Sequence, residues 1–199
     1  MVNRIDQYGF WGVLKMSVHF VRTKFVFPQA RLIRFPIDIR GKKTIKISKG
    51  FTTGYGCRIE SYPEDDKQTL IIGENFQMND YVHITARKNV IIGNNVLLAS
   101  KIYISDCSHG NYTGDANDSD PHTPPADRPL FARPVIIEDN VWLGEFVTVL
   151  PGVTIGKSTI VGANSVVSKS LPPYVIAVGI PAKPIKKFNF DTDRWEKIQ

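Results

Sequence analysis

The 199-residue chain has only two cysteines, Cys57 and Cys107, which argues against a disulfide framework. No uncharged apolar run is long enough to span a bilayer. The opening residues, MVNRIDQYGF, lack the basic start, apolar stretch and small-residue cleavage site of a secretory signal. The expectation is a cytoplasmic protein, in which the N-x-S/T sequons at Asn111 and Asn117 carry no meaning. No glycine-rich phosphate loop is present either, so a nucleoside triphosphate site is not indicated.

What is present fits one globular domain with a sizeable core, at 42% hydrophobic and 22% charged residues. The net charge of +6 is unevenly spread. Residues 1–50 hold eleven Lys/Arg against two Asp/Glu, and the remainder is slightly acidic. A basic segment of this kind suits phosphate groups or an anionic membrane surface, or is simply a solvated face.

Residues 137–172 carry a period of six, with Ile137, Leu143, Val149, Ile155, Val161 and Val167 at the repeating aliphatic position. This period fits neither an ordinary helix nor an alternating strand. It fits a hexapeptide parallel β-helix, with the aliphatic residue stacking inward and Gly and Asn at turns because they tolerate positive φ. The register extends backwards through Ile92, Leu98 and Ile104, then Ile72, Met78 and Ile84, then Ile47, Thr53 and Ile59. Three hexads make a triangular coil, so about five coils are expected. The extra residues always follow the third inward position, which places every insertion on one edge of the prism. The largest insertion, 105–136, is too long for a simple connection, and such loops are usually functional or disordered.

The ends differ from the repeat. Phe10, Leu14, Val18, Val21 and Phe25 recur at helical spacing, with Trp11 and Phe20 adding apolar area. The segment reads as a helix capping the open end of the core, or as an interfacial membrane helix flanked by Lys/Arg. The tail FDTDRWEKIQ reads as a short C-terminal helix. The organisation expected is a basic, partly helical segment over 1–35, an all-β left-handed β-helix domain over 36–185, and a tail over 186–199.

The stretch ISDCSHG opens the long insertion and gathers Asp106, Cys107 and His109. Asp106 could orient His109 or cap the turn. Cys107 reads as a packed or solvent-facing thiol rather than a nucleophile. His83, beside the inward Ile84, reads as a partly buried structural histidine, and His122, among prolines, as loop. Only His109 and His122 lie close in sequence, and their spacing does not suit a zinc centre, so no metal site is expected.

IIGNNVLLASKIYISDCSHG, DNVWLGEFVTVLPGVTIGKSTIVGANSVVSKSLPPYVIAVGIPAKPIKKF and the loop between them resemble the hexapeptide-repeat acetyltransferases over residues 70–188. The nearest likeness is to the galactoside/maltose acetyltransferase-like group and its relatives acting on bacterial surface polysaccharides. The resemblance implies transfer of acetyl from acetyl-CoA to a sugar hydroxyl by a homotrimer with sites at its subunit interfaces, and no nucleic-acid partner. It implies His109 as general base, with Asn79, Asp80 and Asp106 on the acceptor side. It places Trp142, Gly144, Ala163, Ser168 and Lys169 along the coenzyme groove, and Lys183 and Lys186 near the nucleotide phosphates. Glu145 stands where the family carries a small hydroxyl residue. Alternatives are acetylation of an amino-sugar nucleotide, or a trimeric scaffold without chemistry. The basic N-terminal segment could hold the protein against the inner face of the membrane or a lipid-linked acceptor.

Overall fold

The computed structural model describes residues 4–65 and 67–198. The chain winds as a parallel β-helix with three flat faces. The first face stacks Ile45–Ile47, Leu70–Ile72, Val90–Ile92, Val135–Ile137 and Thr154–Ile155. The second stacks Thr52–Thr53, Gln77–Met78, Leu97–Leu98, Trp142–Leu143, Ile160–Val161 and Val175–Gly179. The third stacks Ile37–Arg40, Cys57–Ser61, His83–Ala86, Tyr103–Ser105, Thr148–Val149 and Val166–Val167.

The inward ladders are those of the six-residue register. Ile47, Ile72, Ile92, Ile137 and Ile155 pair in succession up the first face. Thr53, Met78, Leu98, Leu143 and Val161 do so up the second. Ile59, Ile84, Ile104, Val149 and Val167 complete the third. All are buried, and each apolar side chain contributes about 1.5–3 kcal/mol by leaving water. Part-coils extend both ends: Leu32 bridges to Thr52, Ile39 pairs with Ile59, and Ala177 pairs with Val161.

The corners correct one expectation. Asn75, Asn95, Asn140 and Ser158 do take positive φ where the first face turns into the second. The next corner, however, puts Tyr81, Lys101, Phe146 and Asn164 in that conformation. The glycines that follow inward residues answer to closeness instead. A Cβ on Gly156 would lie 2.4 Å from the Pro173 nitrogen, and one on Gly144 2.7 Å from that of Ala163.

The N-terminal helix, Arg4–Val26, is kinked at Gly9. It closes the core from one side only. His19 and Thr23 are buried, and Thr23 Oγ1 accepts a hydrogen bond from the Ile33 amide at 2.8 Å. The apolar stripe points the other way: Phe10, Trp11, Leu14, Val18, Val21 and Phe25 are all exposed, Phe25 at 83%. A cap made by that stripe is therefore ruled out.

Among the described residues, the C-terminal end holds no helix. Ala182–Asn189 runs antiparallel to Val175–Gly179, and Arg194–Lys197 runs antiparallel to it. Phe188 and Trp195 face each other across this hairpin with ring centres 5.3 Å apart. The boundaries placed at 35 and 185 thus fall within packed structure, since Leu32 joins the first coil and one strand crosses 185.

Candidate functional site

The long insertion leaves the third face through a hairpin stem, in which Cys107–His109 pairs antiparallel with Leu130–Ala132. A buried carboxylate anchors that stem. Asp106 is fully buried, and its Oδ1 accepts the Arg87 amide at 2.8 Å. Its Oδ2 accepts the amides of Lys88 and Asn89, both at 2.7 Å. The Asp106 carbonyl accepts the Arg133 amide at 2.8 Å. Both chains of the stem are thereby tied to the insertion one coil earlier. Asp106 is a turn clamp: its carboxylate carries three amide bonds and, fully buried, presents no surface to an acceptor.

His109 ends the stem. Its ring is exposed and, among the described residues, makes no hydrogen bond. Its backbone is held on both sides. It pairs with Leu130, and its carbonyl accepts Tyr112 Oη at 2.6 Å. Arg128 donates to the same Tyr112 oxygen at 2.7 Å, and Gly110, at φ 100°, donates to the Pro129 carbonyl. The arrangement presents an accessible imidazole on a fixed backbone. Cys107 is half-buried 3.6 Å from Ser105 Oγ, and burial pushes its thiol up, away from thiolate character. His122 is exposed, and its amide donates to Asp120.

Asn79 lies on another edge, where the second face turns into the third. It is exposed, and its Oδ1 accepts a 3.4 Å bond from Gln77. Its carbonyl accepts the buried Cys57 thiol at 3.0 Å. Asp80 spends one oxygen on the Tyr55 amide at 2.7 Å, a bond between coils that an acceptor role must share. No hydrogen bond joins Asn79 to His109 among the described residues.

The cofactor candidates divide in the same way. Trp142 projects from the second face, 47% exposed, between Leu97 and Ile160. Ala163 is exposed on the adjoining edge, but Gly144 is buried, and coil stacking accounts for its size. Lys183 and Lys186 lie on the antiparallel strand that extends the second face, opposite Val178 and Ile176. Ser168 and Lys169 are exposed on the edge that carries the long insertion. One chain therefore places the candidate residues on two separate edges. A separate groove of about 630 Å³ runs between the N-terminal helix and the second face, lined by Met16, Phe20, Leu32 and Arg34 among others, and reaches Gln77.

Sequence reasoning missed a polar network on the outer side of the third face. Glu60 is buried there although it points away from the core. The same register gives the signal: residues just before and after the third inward position, such as Arg58, His83 and Glu60, must share that outer surface.

Residues 134–169 match the family model described as bacterial transferase hexapeptide (six repeats). The chain is 41% identical, over 96% of both chains, to a putative lipopolysaccharide biosynthesis O-acetyl transferase, WbbJ, of Escherichia coli K12. Its fold matches galactoside acetyltransferase in complex with coenzyme A, at TM-score 0.55 and 31% identity over 75% of this chain and 73% of that one. It also matches AntD, an N-acyltransferase from Bacillus cereus solved with an amino-sugar nucleotide and coenzyme A. That match has TM-score 0.65 and 22% identity over 81% and 82% of the two chains, a likeness of fold.

Proposed function

The chain belongs to the hexapeptide-repeat acetyltransferases, with their left-handed parallel β-helix, and from that premise we propose how it works. It is an acetyl-CoA-dependent O-acetyltransferase that acts on a sugar hydroxyl in surface-polysaccharide synthesis. The observation that carries the mechanism is the exposed, unengaged ring of His109 on a backbone pinned at the prism edge.

A neutral imidazole takes the proton of the acceptor hydroxyl as its oxygen attacks the thioester carbonyl. The tetrahedral intermediate collapses with cleavage of the C–S bond, and the imidazolium returns its proton to the leaving thiolate. An O-acetyl ester and free thiol result, with no acyl-enzyme. Asn79 holds the acceptor. Trp142 and Ala163 line the pantetheine path, and Lys183 and Lys186 meet the nucleotide phosphates. Because the His109 and Asn79 half-sites lie on separate edges, the working site forms between neighbouring copies in a homotrimer.

The N-terminal helix docks on the membrane surface. At 3.6 residues per turn, the exposed Phe10, Trp11, Leu14, Val18, Val21 and Phe25 fall within an arc of about 100°, bordered by Lys24 on one side and by Lys15 and Arg22 on the other, while the exposed Phe20 lies outside it. Apolar surface with cations at its margins suits the interface of an anionic bilayer. Flotation with phosphatidylglycerol vesicles should carry the full chain, and Val18→Asp with Val21→Asp should abolish it. A wild-type chain that stays unbound refutes the docking.

Transfer is tested with hydroxyl and amine acceptors side by side, following thiol release and product chemistry. The proposal requires a hydroxylamine-labile ester. A stable amide as the main product would favour the amino-sugar reading that the AntD fold likeness suggests.

A further inference from the structure

The groove of about 630 Å³ beside the N-terminal helix has walls from two elements. The helix supplies Val13, Met16 and Phe20, and the second face of the prism supplies Leu32, Thr52 and Gln77. By helical spacing, Val13, Met16 and Phe20 lie between the buried His19 and Thr23 and the exposed apolar stripe. Val21 belongs to both the stripe and the groove. The groove therefore opens along the margin of the surface that meets the bilayer. The edges joined in the homotrimer border the third face, so the groove, on the second, stays on the outside of the assembly.

Its charge is of one sign. Arg31 and Arg34 line it, and no Asp or Glu does. Among the described residues neither guanidinium has a carboxylate partner. Arg34 Nη1 donates to the Thr53 carbonyl at 2.8 Å, and Arg31 Nη2 reaches Asn75 Oδ1 at 3.4 Å. These bonds use a minority of the N–H donors on each guanidinium. Permanent cations of this shape suit phosphate, which they grip through paired bonds. Apolar walls beside them suit a hydrocarbon chain, so the complementary ligand is a lipid phosphate. The volume is in the range of clefts for drug-sized ligands. It takes the chain segment next to the phosphate, and the remainder of the chain stays in the bilayer.

The far end of the groove meets the acceptor side. Gln77 Nε2 donates to Asn79 Oδ1 at 3.4 Å. Thr52, Gln77, Leu97 and Trp142 follow one another along the outer side of the second face. At about 4.8 Å between strands, Trp142 lies roughly 10 Å from Gln77. The groove and the coenzyme path thus approach Asn79 from opposite ends of one face.

We infer that this groove holds the phosphate-proximal stem of a lipid-linked saccharide acceptor. Arg31 and Arg34 bind the phosphates, Met16, Phe20 and Leu32 cover the start of the chain, and the saccharide extends past Gln77 to Asn79. This rests on the sugar-acceptor and membrane-docking readings above.

Farnesyl diphosphate, a soluble stand-in for such a stem, is titrated into the full chain by isothermal calorimetry, without vesicles and below its micelle-forming concentration. It should bind saturably, with farnesol, inorganic pyrophosphate and dihexanoyl phosphatidylglycerol at least tenfold weaker. Arg31→Gln with Arg34→Gln should weaken it at least tenfold. Phe20→Ser should do the same yet leave vesicle flotation at the wild-type level, because Phe20 lies outside the membrane stripe. Absence of saturable binding refutes the groove, and undiminished binding by Phe20→Ser places the ligand elsewhere. Pyrophosphate or phosphatidylglycerol binding as tightly as farnesyl diphosphate overturns the acceptor stem, leaving an anion site or a general lipid contact. Selective binding by a chain that acetylates no sugar upholds the groove and counts against acetyl transfer alone; selective binding by a chain that floats with no vesicle counts against membrane docking alone.

Discussion

Asp106→Asn separates a clamp from a catalytic residue. The wild-type carboxylate takes three backbone amides at 2.7–2.8 Å. The isosteric amide has one acceptor oxygen. Turned toward Lys88 and Asn89, it keeps two of the three bonds and sets its NH₂ against the Arg87 amide. One bond to a charged acceptor is lost, and the two that remain lose their charge assistance. The cost is about 2–3 kcal/mol. At 1.4 kcal/mol per factor of ten, hydrogen-exchange protection at 87–89 should fall by roughly 30- to 100-fold where it reports local opening. Asp106→Ala removes all three bonds and should cost about twice as much. Acetyl transfer should fall with loop order and recover in part when the protein is cooled or saturated with acceptor. Unchanged protection at 87–89 with abolished transfer would refute the clamp and return Asp106 to the chemistry.

Gly156→Ala should lower stability by about 1–3 kcal/mol, because its Cβ would meet the backbone of Pro172 and Pro173. A urea midpoint equal to wild type would contradict this. Glu60 predicts an acid effect. Burial alone would raise its pKa, but hydrogen bonds from Tyr62, His83 and Arg58 outweigh burial and hold it at about 2. Its ordinary value is 4.5, so its stabilising contribution is complete above that pH and fades as the pH falls toward 2. The stability gap between wild type and Glu60→Gln should close over that window; a gap constant from pH 5 to 2 argues against it. Trp142→Ala should raise KM for acetyl-CoA more than it lowers kcat, whereas a pure kcat loss would move Trp142 away from cofactor binding.

The coil interior was legible because each inward residue recurs every six positions, and a ladder from Ile47 to Ile155 leaves no freedom in pairing. The single edge of insertion follows from the same count. The ends were not legible, for local reasons. Helical spacing in 10–25 reveals an apolar stripe but not its direction, and the core is closed by His19, Thr23 and Phe27 instead. The tail was read as a helix, yet Phe188 and Trp195 find each other across a hairpin, a tertiary gain that local propensity does not register. At the site, His109 was singled out as the base by the family resemblance, at its place five residues beyond Ile104. For Asp106 the turn reading, one of the two the sequence left open, is the one the geometry fits; the sequence could not choose it because the amide partners come from the insertion one coil earlier. Glu60 was passed over because a carboxylate on an outward position looks solvated until its strand neighbours are placed.

The central claim is that His109 takes the proton of a sugar hydroxyl while acetyl-CoA is bound close by. Its most direct test is the initial rate of acetyl transfer to a saccharide acceptor by wild type and His109→Ala, with coenzyme A affinity measured on both. The account predicts a fall of at least about 100-fold in the variant, with coenzyme A binding preserved. Equal turnover by the two proteins would contradict it.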